Sequence, residues 1–448
     1  MPNLSVDRLQ TIWQNARSSL WFLPASLGIL AIVLSWLVSD LDHHLPRQIA
    51  LHRGWLFYGS PDAARTLLST LAGSLITVIS LLFSITMLTM QQASSQYTSR
   101  ILRNFTDHRG VQWVLGVYIA TFMYCVLVLR QVRSSTDQAS NFVPALSISL
   151  AILLAVICVA LLVYYVHLIA TMLQAATVVE RVHDGLIHAI DHNYPADRAE
   201  GTDEDRPLDE VRRLARRSGG LRIHSEGSGF LRSVDENTIL KAIPDGSWAI
   251  TELALGQYVL SDAVLLESSN NIDDPDRVRR IRNAFILDRQ RSLPQDTLFG
   301  VRQLVDIAVR ALSPGINDPT TAEHAISCLT DGLIRLGDRP FPPRVTRGPE
   351  SDGCGSSIIW VDRPNFARFV DSAYAQIRRA ARNDVDVTLH LLKMMRMLAA
   401  HVPASRAEPV WEQIARTVSQ IRQSSFTPED RTMLFEVAND GARSSLDQ

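Results

Sequence analysis

The chain has 448 residues, of which 46% are hydrophobic and 20% are charged, and its formal net charge is −2. These averages conceal an uneven distribution, because residues 1–175 contain ten Arg, six Asp and no Lys or Glu, whereas the other 273 residues carry 34 basic and 40 acidic side chains. Long apolar runs in the first part exclude a wholly soluble enzyme, a secreted disulfide scaffold and a disordered chain, and the near-neutral charge gives no reason to expect a nucleic-acid partner.

Four segments are apolar enough and long enough to cross a hydrocarbon core, which takes about 20 helical residues. We expect spans at about residues 21–38, 66–90, 111–129 and 143–169, so that residues 1–175 form a four-helix transmembrane domain in contact with a lipid bilayer. An even number of spans places both termini on one side. Six Arg near the span ends on that side, against five on the other, favour the cytoplasm for both termini.

Two of the predicted helices are longer than a bilayer requires. Ser60-Pro61-Asp62 supplies an N-cap, a first-turn proline and a first-turn acid, and nothing then interrupts the helical pattern until about Gly110. The fourth pattern, from Val143, continues in the same way to a stop at Pro195. We therefore expect both helices to extend into a cytosolic stalk, with residues 176–194 as part of it.

Small and polar side chains follow one face of the second predicted helix, within about 60° of one line at about 100° per residue. Such residues let transmembrane helices pack closely and hydrogen-bond to one another. Alternatively, they line a water-filled path through an oligomer. The face carries no ionisable group, which argues against a coupled transporter. We call it the polar stripe; its members are Thr66, Ser69, Thr70, Gly73, Thr77, Ser80, Ser84, Gln91 and Ser95.

The remaining sequence predicts a linker followed by a mixed domain. Residues 195–220 are rich in charge and poor in apolar side chains, as a linker is. Short period-two apolar runs over residues 221–270 predict a small β-barrel or sandwich. Residues 271–337 predict a helical subdomain, residues 338–363 a long loop with room for one hairpin, and residues 364–448 C-terminal helices.

Within the helical subdomain, the patterns predict helices over Pro275–Leu287 and Asp296–Leu312, and a third that begins with the cap pair Asp318-Pro319. The expected fold is therefore a mainly α membrane protein. It has four transmembrane helices, two of them extended into a cytosolic stalk, and a cytosolic α+β domain in which a small β-barrel precedes helices.

Histidines and carboxylates near the end of the fourth helix suggest one site. His188 and His192 stand at i and i+4, the spacing of two metal ligands on one helix, and Asp184 lies one turn before them. The same pattern also fits the solvated face of an amphipathic helix. His167, near the end of the fourth span, is a separate candidate for a pH-sensitive group.

A second cluster of charged residues is basic. Arg277, Arg279, Arg280 and Arg282 follow an acidic run and could bind lipid headgroups or a small anionic ligand. Their acidic neighbours favour a surface of salt bridges. No P-loop, GxGxxG, nucleophile elbow or HExxH motif is present, so the sequence indicates neither an enzyme nor a cofactor.

Two long strings carry a family resemblance. They are Leu88-Thr-Met-Gln-Gln-Ala-Ser-Ser-Gln-Tyr-Thr-Ser-Arg-Ile-Leu-Arg-Asn-Phe105 and Phe299-Gly-Val-Arg-Gln-Leu-Val-Asp-Ile-Ala-Val-Arg-Ala-Leu-Ser-Pro-Gly-Ile-Asn-Asp-Pro-Thr-Thr-Ala322. Together with the four spans, they resemble the bacterial membrane family catalogued as domain of unknown function 2254. The resemblance implies an inner-membrane protein with a cytosolic domain, and it implies no catalytic residue or substrate.

Three hypotheses for function remain, in decreasing order of preference. The first is a homo-oligomeric channel or passive pore in which the second span surrounds a central axis and the cytosolic domain gates or assembles it. The second is a membrane-anchored sensor or scaffold whose spans only pack while the cytosolic domain binds a ligand or partner. The third is a membrane enzyme that uses the His and Asp side chains of residues 184–192.

Overall fold

The computed structural model divides the chain into two compact units, residues 1–177 and 178–448. This division falls within three residues of the position at which the charge composition changes. The residues that the structure describes are 22–44, 56–96, 109–132, 143–172, 174–197, 221–291, 296–348 and 357–439.

The N-terminal unit contains four helices that are long and apolar enough to cross a membrane, as predicted. The third is central, since each of the other three packs more extensively against it than against any other helix. Its Gly116 lies so close to the first helix that a Cβ there would be 2.7 Å from Leu27 Cδ1. The helices are α1 (Phe22–His44), α2 (Pro61–Gln96), α3 (Arg109–Leu129) and α4 (Ala145–Met172).

Tyrosine hydroxyls join these helices at buried positions. Tyr118 of α3 donates to the carbonyl of Cys158 on α4 at 2.7 Å, and Tyr165 of α4 donates to the carbonyl of Leu82 on α2 at 3.0 Å. Each bond satisfies a polar group that would otherwise be unpaired in an apolar interior.

The continuous helix predicted from Val143 to Pro195 is interrupted. Helix α4 ends at Met172, and a new helix, α5, runs over Ala175–Asn193. The Thr171 hydroxyl donates to carbonyls of the preceding turn and the Gln174 N–H donates to the Thr171 carbonyl, which tightens and ends α4. A stalk continuous with the fourth span is therefore not found.

The predicted extension of the second helix can be followed only in part. Helix α2 is described to Gln96, and residues 97–108 lie outside the described part of the chain.

The C-terminal unit contains two open sheets and, among its described strands, no closed one, so the predicted closed barrel is not found. One sheet has the order β1-β5-β3-β8-β7 and the other β4-β2-β6. Strand β8 pairs in parallel with β3, whereas the other pairs are antiparallel. The strands are β1 (Leu221–His224), β2 (Gly229–Val234), β3 (Trp248–Thr251), β4 (Tyr258–Val259), β5 (Val264–Ser268), β6 (Phe285–Asp288), β7 (Val345–Arg347) and β8 (Ile358–Val361).

Both sheets contribute to one hydrophobic core, in which Leu231 of β2, Leu266 of β5 and Ile359 of β8 are buried together. Some strands of these sheets consist of residues for which the sequence predicted a loop or a helix. Residues 345–347 and 358–361 fall in the predicted loop. They form strands β7 and β8, which pair in an antiparallel manner. Strand β6 takes the end of the predicted helix Pro275–Leu287, because Phe285 pairs with Val234 of β2.

Most of the other helices of this unit begin at side-chain caps, whereas α12 follows Pro403, which makes no side-chain cap bond. Asp296, Asp318, Asn365 and Asp384 each accept a hydrogen bond from a backbone N–H of the first turn. The helices are α6 (Glu236–Ala242), α7 (Pro275–Asn283), α8 (Thr297–Ala311), α9 (Pro319–Gly337), α10 (Phe366–Ala380), α11 (Val385–His401), α12 (Ala404–Gln423) and α13 (Pro428–Asn439).

Candidate functional site

The polar stripe of α2 lies on the outer surface of the helical bundle. The opposite face of α2 is buried and packs inward through Leu68, Leu75 and Leu82. Every member of the stripe whose side chain the structure describes is exposed to the exterior of the single chain. Those members are Thr66, Ser69, Thr70, Gly73, Thr77, Ser80, Ser84 and Gln91, whereas the side chain of Ser95 lies outside the described residues.

The stripe hydroxyls donate to the backbone of their own helix. Thr77 donates to the Gly73 carbonyl at 3.0 Å, Ser80 to the Ile76 carbonyl at 2.9 Å and Ser84 to the Ser80 carbonyl at 2.9 Å. Their protons are therefore satisfied locally, while the oxygen lone pairs can still accept a bond from water or coordinate a cation. Such a surface is polar at little cost to the stability of the helix.

The outward faces of α1 and α4 have the opposite character. On α4, Val159 is 65% exposed and Val163 is 69% exposed, and on α1 the exposed residues include Ile29 and Trp36. Side chains of this kind suit contact with lipid. The outward surface of α2 differs in that it carries the polar stripe beside its own exposed apolar side chains, which are Ile76, Leu81, Phe83, Met87 and Leu88.

His167 also lies on the outer surface of the bundle. It is exposed near the C-terminal end of α4, next to the exposed Val166, and its carbonyl accepts a bond from Thr171 at 3.2 Å. A pH-sensitive role for this histidine stays a prediction.

Helix α5 packs on α9 within the C-terminal unit, and cross-helix pairs join the two. Glu180 pairs with His324 at 2.8 Å and His183 pairs with Asp331 at 2.9 Å. Further along, Asp191 binds Arg335 through two bonds of 2.7 and 2.9 Å. We call this row of paired side chains the α5–α9 seam.

The metal ligands suggested by the sequence on α5 are placed differently. Asp184, His188 and His192 are all exposed, and His192 contributes to a cavity described below. A different set converges, because Glu180, His324 and Cys328 have ligand atoms that all lie within 4.8 Å of one another. Among the described residues, this is the one group of three or more potential metal ligands with that spacing.

A cavity of about 450 Å³ opens in the C-terminal unit. The start of α8, the β2–α6 junction and the segment after β8 meet at this cavity. Helix N-termini and charged side chains therefore line it. Glu236 there pairs with Arg363, and Arg368 pairs with Asp362 at 3.1 Å. The polar lining residues are His192, Asn193, Tyr194, Ser233, Asp235, Glu236, Asp296, Thr297, Asp362, Arg363 and Arg368.

One wall of the cavity contains a buried ion pair. The side chain of Asp296 is 6% exposed and accepts two bonds from Arg291, at 2.9 and 2.7 Å, while it caps α8 through the Phe299 N–H. Burial raises the pKa of the Asp296 carboxyl above its ordinary value, and the Arg291 guanidinium opposes that rise. Gly256, with φ of +77°, leaves room for the pair, since a Cβ there would lie 2.1 Å from Asp296 Oδ2.

The arginine cluster on α7 forms salt bridges with nearby acids. Arg282 also donates to the His224 carbonyl at 2.9 Å, and Arg280 is exposed. These contacts agree with the salt-bridged surface that the acidic neighbours suggested, and binding of a small anion stays a prediction. The pairs are Arg277 with Asp274, Arg279 with Asp276, and Arg282 with Glu226.

Two groups of residues could not be assigned a role from the sequence. The first is Asp42, at the end of α1, which accepts bonds from the backbone N–H groups of Leu146 and Ser147 and so caps α4.

The second is the cluster of Glu180, His324 and Cys328. The i, i+4 spacing of His324 and Cys328 on a predicted helix could have indicated a pair of metal ligands. Their partner Glu180, however, is 144 residues away in the sequence, and no local pattern joins them.

The chain matches the family described as "Predicted membrane protein (DUF2254)" over residues 17–397. An uncharacterised protein of Mycobacterium bovis is 31% identical over 398 residues, which cover 86% of this chain and 73% of that protein. An uncharacterised protein of Mycobacterium tuberculosis (strain CDC 1551) is 32% identical, with the same shares covered. No solved structure matches the chain.

Proposed function

The chain belongs to the DUF2254 family of predicted membrane proteins, and we propose that it acts as a homo-oligomeric channel or passive pore. The polar stripe of α2 lines the path, and the C-terminal unit is a cytosolic domain that gates or assembles the oligomer. The protein resides in the bacterial inner membrane with both termini in the cytoplasm.

One observation carries this proposal, namely that the polar stripe lies on the outside of its own bundle. Packing within the chain accounts for the buried face of α2 but not for the exposed one. The exposed faces of α1 and α4 are mainly apolar, with Ser26 near the start of α1 as an exception, so an outward surface of this bundle needs no row of hydroxyl groups in order to meet lipid. A partner other than lipid explains the difference.

The stripe of one chain cannot enclose a path by itself. Several copies arranged around an axis would bring their α2 helices together, and hydroxyl and carbonyl oxygens would then line the space between them. The stripe contains no ionisable side chain, which favours passive movement over coupling to protons.

Conductance of the full chain in planar bilayers tests the proposal. We expect channel activity from the wild type and a reduction of at least about tenfold when Thr77, Ser80 and Ser84 are all replaced by Leu, because bulky apolar groups narrow and dewet a path. Ser26→Leu is the matched control. Ser26 is also exposed on a span, and it also donates to its own backbone, to the Leu23 carbonyl at 2.8 Å.

Two results would contradict the proposal. One is the absence of conductance from a verified oligomer in the bilayer. The other is conductance that the triple variant and the Ser26→Leu control change equally, since a lining role predicts a difference between them.

Orientation has its own test. Reporter enzymes that are active only in the cytoplasm or only in the periplasm, fused after Gln448, should give cytoplasmic activity. A periplasmic signal would place the C-terminal unit on the other side of the membrane and exclude a cytosolic gate.

The cavity of the C-terminal unit favours a second candidate, a membrane-anchored sensor or scaffold. Its volume of about 450 Å³ lies in the range typical of small-molecule sites, and its charged lining is already paired in part. In this case, a purified oligomer would not conduct, and Leu255→Trp, which fills the cavity, would abolish a ligand-induced rise in melting temperature. A pore that conducts without any such ligand would favour the first candidate.

A further inference from the structure

The α5–α9 seam carries more metal-ligating side chains than its salt bridges require. Glu180 and Asp184 stand one turn apart on α5, and His324 and Cys328 stand one turn apart on α9. Both pairs have the i, i+4 spacing with which a helix presents two ligands to one ion. We propose that Glu180, His324 and Cys328 bind a Zn²⁺ ion between α5 and α9.

The distances suit an ion of this size. Zn²⁺ binds sulfur at about 2.3 Å and nitrogen or oxygen at about 2.0–2.2 Å, so the ligand atoms of a tetrahedral site lie about 3.3–3.8 Å apart. Here, a carboxylate oxygen of Glu180, a ring nitrogen of His324 and Cys328 Sγ all lie within 4.8 Å of one another, so small side-chain movements bring them to these distances. The Glu180–His324 contact of 2.8 Å is a hydrogen bond that the ion replaces by entering between the two groups.

The donor set also selects the metal. A thiolate, an imidazole and a carboxylate form a mixed set of soft and hard ligands, which suits Zn²⁺ and disfavours Mg²⁺ and Ca²⁺, because these prefer oxygen alone. Three protein ligands leave a fourth position. A water molecule can occupy it.

The electrostatics of the seam favour a cation. Glu180, Asp184 and Asp331 lie close enough to Cys328 to act on it electrostatically. A divalent ion bound at the cluster offsets the negative charge of these carboxylates.

The site is accessible from solvent. Cys328 is 7% exposed and fixed on α9, whereas the Glu180 side chain is 57% exposed, so an ion can enter from the side of α5. An ion held there ties α5 to α9 and adds a metal bridge to the packing between them.

Metal titration of the purified full-length chain tests the inference. After removal of metals with a chelator, the wild type should take up one Zn²⁺ per chain, measured by competition with a chromogenic chelator. The Co²⁺ form should show a thiolate-to-cobalt charge-transfer band. Cys328→Ser should abolish that band, and both Cys328→Ser and His324→Ala should weaken Zn²⁺ binding at least about 100-fold, since even outer-shell changes at zinc sites cost about 10–100-fold.

Matched controls separate this site from the alternatives. Cys354→Ser removes another thiol, and the pair His188→Ala and His192→Ala removes the histidines that the sequence pattern suggested as ligands. Both controls should bind Zn²⁺ as the wild type does. Glu180→Gln changes a half-exposed side chain and should weaken binding with little effect on folding, which circular dichroism checks.

Three results would overturn the inference. They are less than half an equivalent of tightly bound Zn²⁺ in the wild type, unchanged affinity in Cys328→Ser, and loss of binding in the His188→Ala, His192→Ala variant.

Discussion

The polar side chains of the two units are arranged in opposite ways. On α2, the hydroxyls of Thr77, Ser80 and Ser84 point out of the bundle and donate to their own helix. In the α5–α9 seam, Glu180 and His324 face each other across two helices and pair. The α5–α9 seam therefore pairs its polar side chains within one chain, whereas α2 presents polar groups for which the described chain offers no covering surface.

This difference indicates where each unit should be sensitive to change. A buried polar group paired with another side chain contributes to folding, because its loss leaves its partner buried and uncompensated. An exposed pair such as Glu180 with His324 contributes less. A polar group that bonds only to its own helix contributes little to the folding of the single chain. An effect of its substitution would therefore report on what lies outside that chain.

The largest expected effect is the loss of a buried pair. Arg291→Met leaves the Asp296 carboxylate buried without its partner and should lower the free energy of unfolding of the C-terminal unit by about 3–5 kcal/mol. The loss should be greater at pH 8 than at pH 5. Without Arg291, the pKa of Asp296 rises further, and protonation at low pH removes the uncompensated charge.

Denaturant unfolding of the full chain measures this change. Arg289→Met, at an exposed arginine two residues earlier, is the control and should change the free energy of unfolding by less than about 0.5 kcal/mol. Equal effects of the two substitutions would show that the buried pair has no special role in stability.

Two glycines of the N-terminal unit compare a packed position in the bundle with an exposed position on the polar stripe. Gly116 of α3 meets Leu27 and the backbone of Pro24, so Gly116→Ala should destabilise the bundle by about 1–3 kcal/mol through overpacking. Gly73 of the polar stripe has no atom within 4 Å of an added Cβ, and Gly73→Ala should leave the melting temperature in detergent unchanged or slightly higher. A lower melting temperature for Gly73→Ala would mean that the outer face of α2 is already covered in detergent.

Asp42 provides a test of a capping contact between helices. Asp42→Ala removes the acceptor for two backbone N–H groups and for the Ser147 hydroxyl at the start of α4, and it should cost about 1–2 kcal/mol. Asp42→Asn keeps an oxygen acceptor and should restore about half of the loss in a thermal unfolding assay. No difference between the two variants would show that the cap does not depend on the oxygen.

The smallest expected effect involves a half-buried histidine in the C-terminal unit. Burial lowers the pKa of His390, with Lys393 adding to the decrease and Glu323 opposing it, and its Nε2 lies 2.9 Å from Ser327 Oγ. Because the unfolded chain binds the proton more readily, stability is complete above pH 6.5 and is lost as the pH falls toward the folded-state pKa.

The corresponding loss is at most about 1.4 kcal/mol per pH unit. His390→Gln should therefore lose less stability than the wild type between pH 7.5 and pH 5, as measured by urea unfolding at each pH. Parallel curves for the two proteins would exclude a contribution from His390.

Local patterns were sufficient to predict the four spans, the helix start at Pro61 and the cap pair Asp318-Pro319. Hydrophobic runs and helix caps depend on neighbours within a few residues. The position of the polar stripe on one face of α2 was predicted for the same reason. Whether that face points into or out of the bundle depends on the helices beside it, so the sequence left this point open.

Contacts between distant segments could not be predicted in this way. Strand β8 pairs with β3 about 110 residues earlier, and a window over residues 221–270 does not contain it. Likewise, the carboxylate beside Cys328 belongs to Glu180, which lies on another helix. The break after Met172 arises from hydrogen bonds of Thr171 and Gln174, residues that in sequence alone fit a continuing helix.

Cysteine accessibility along α2 in native membranes tests the central claim most directly. In a chain whose four cysteines are replaced by serine, single cysteines at positions 73, 77, 80 and 84 should react with a membrane-impermeant thiol reagent at least about tenfold faster than one at position 159, on the lipid-facing side of α4. The account predicts fast reaction along the polar stripe and slow reaction at Leu75 and Leu82, on the opposite face of α2. Equal, slow reaction at all of these positions would contradict it.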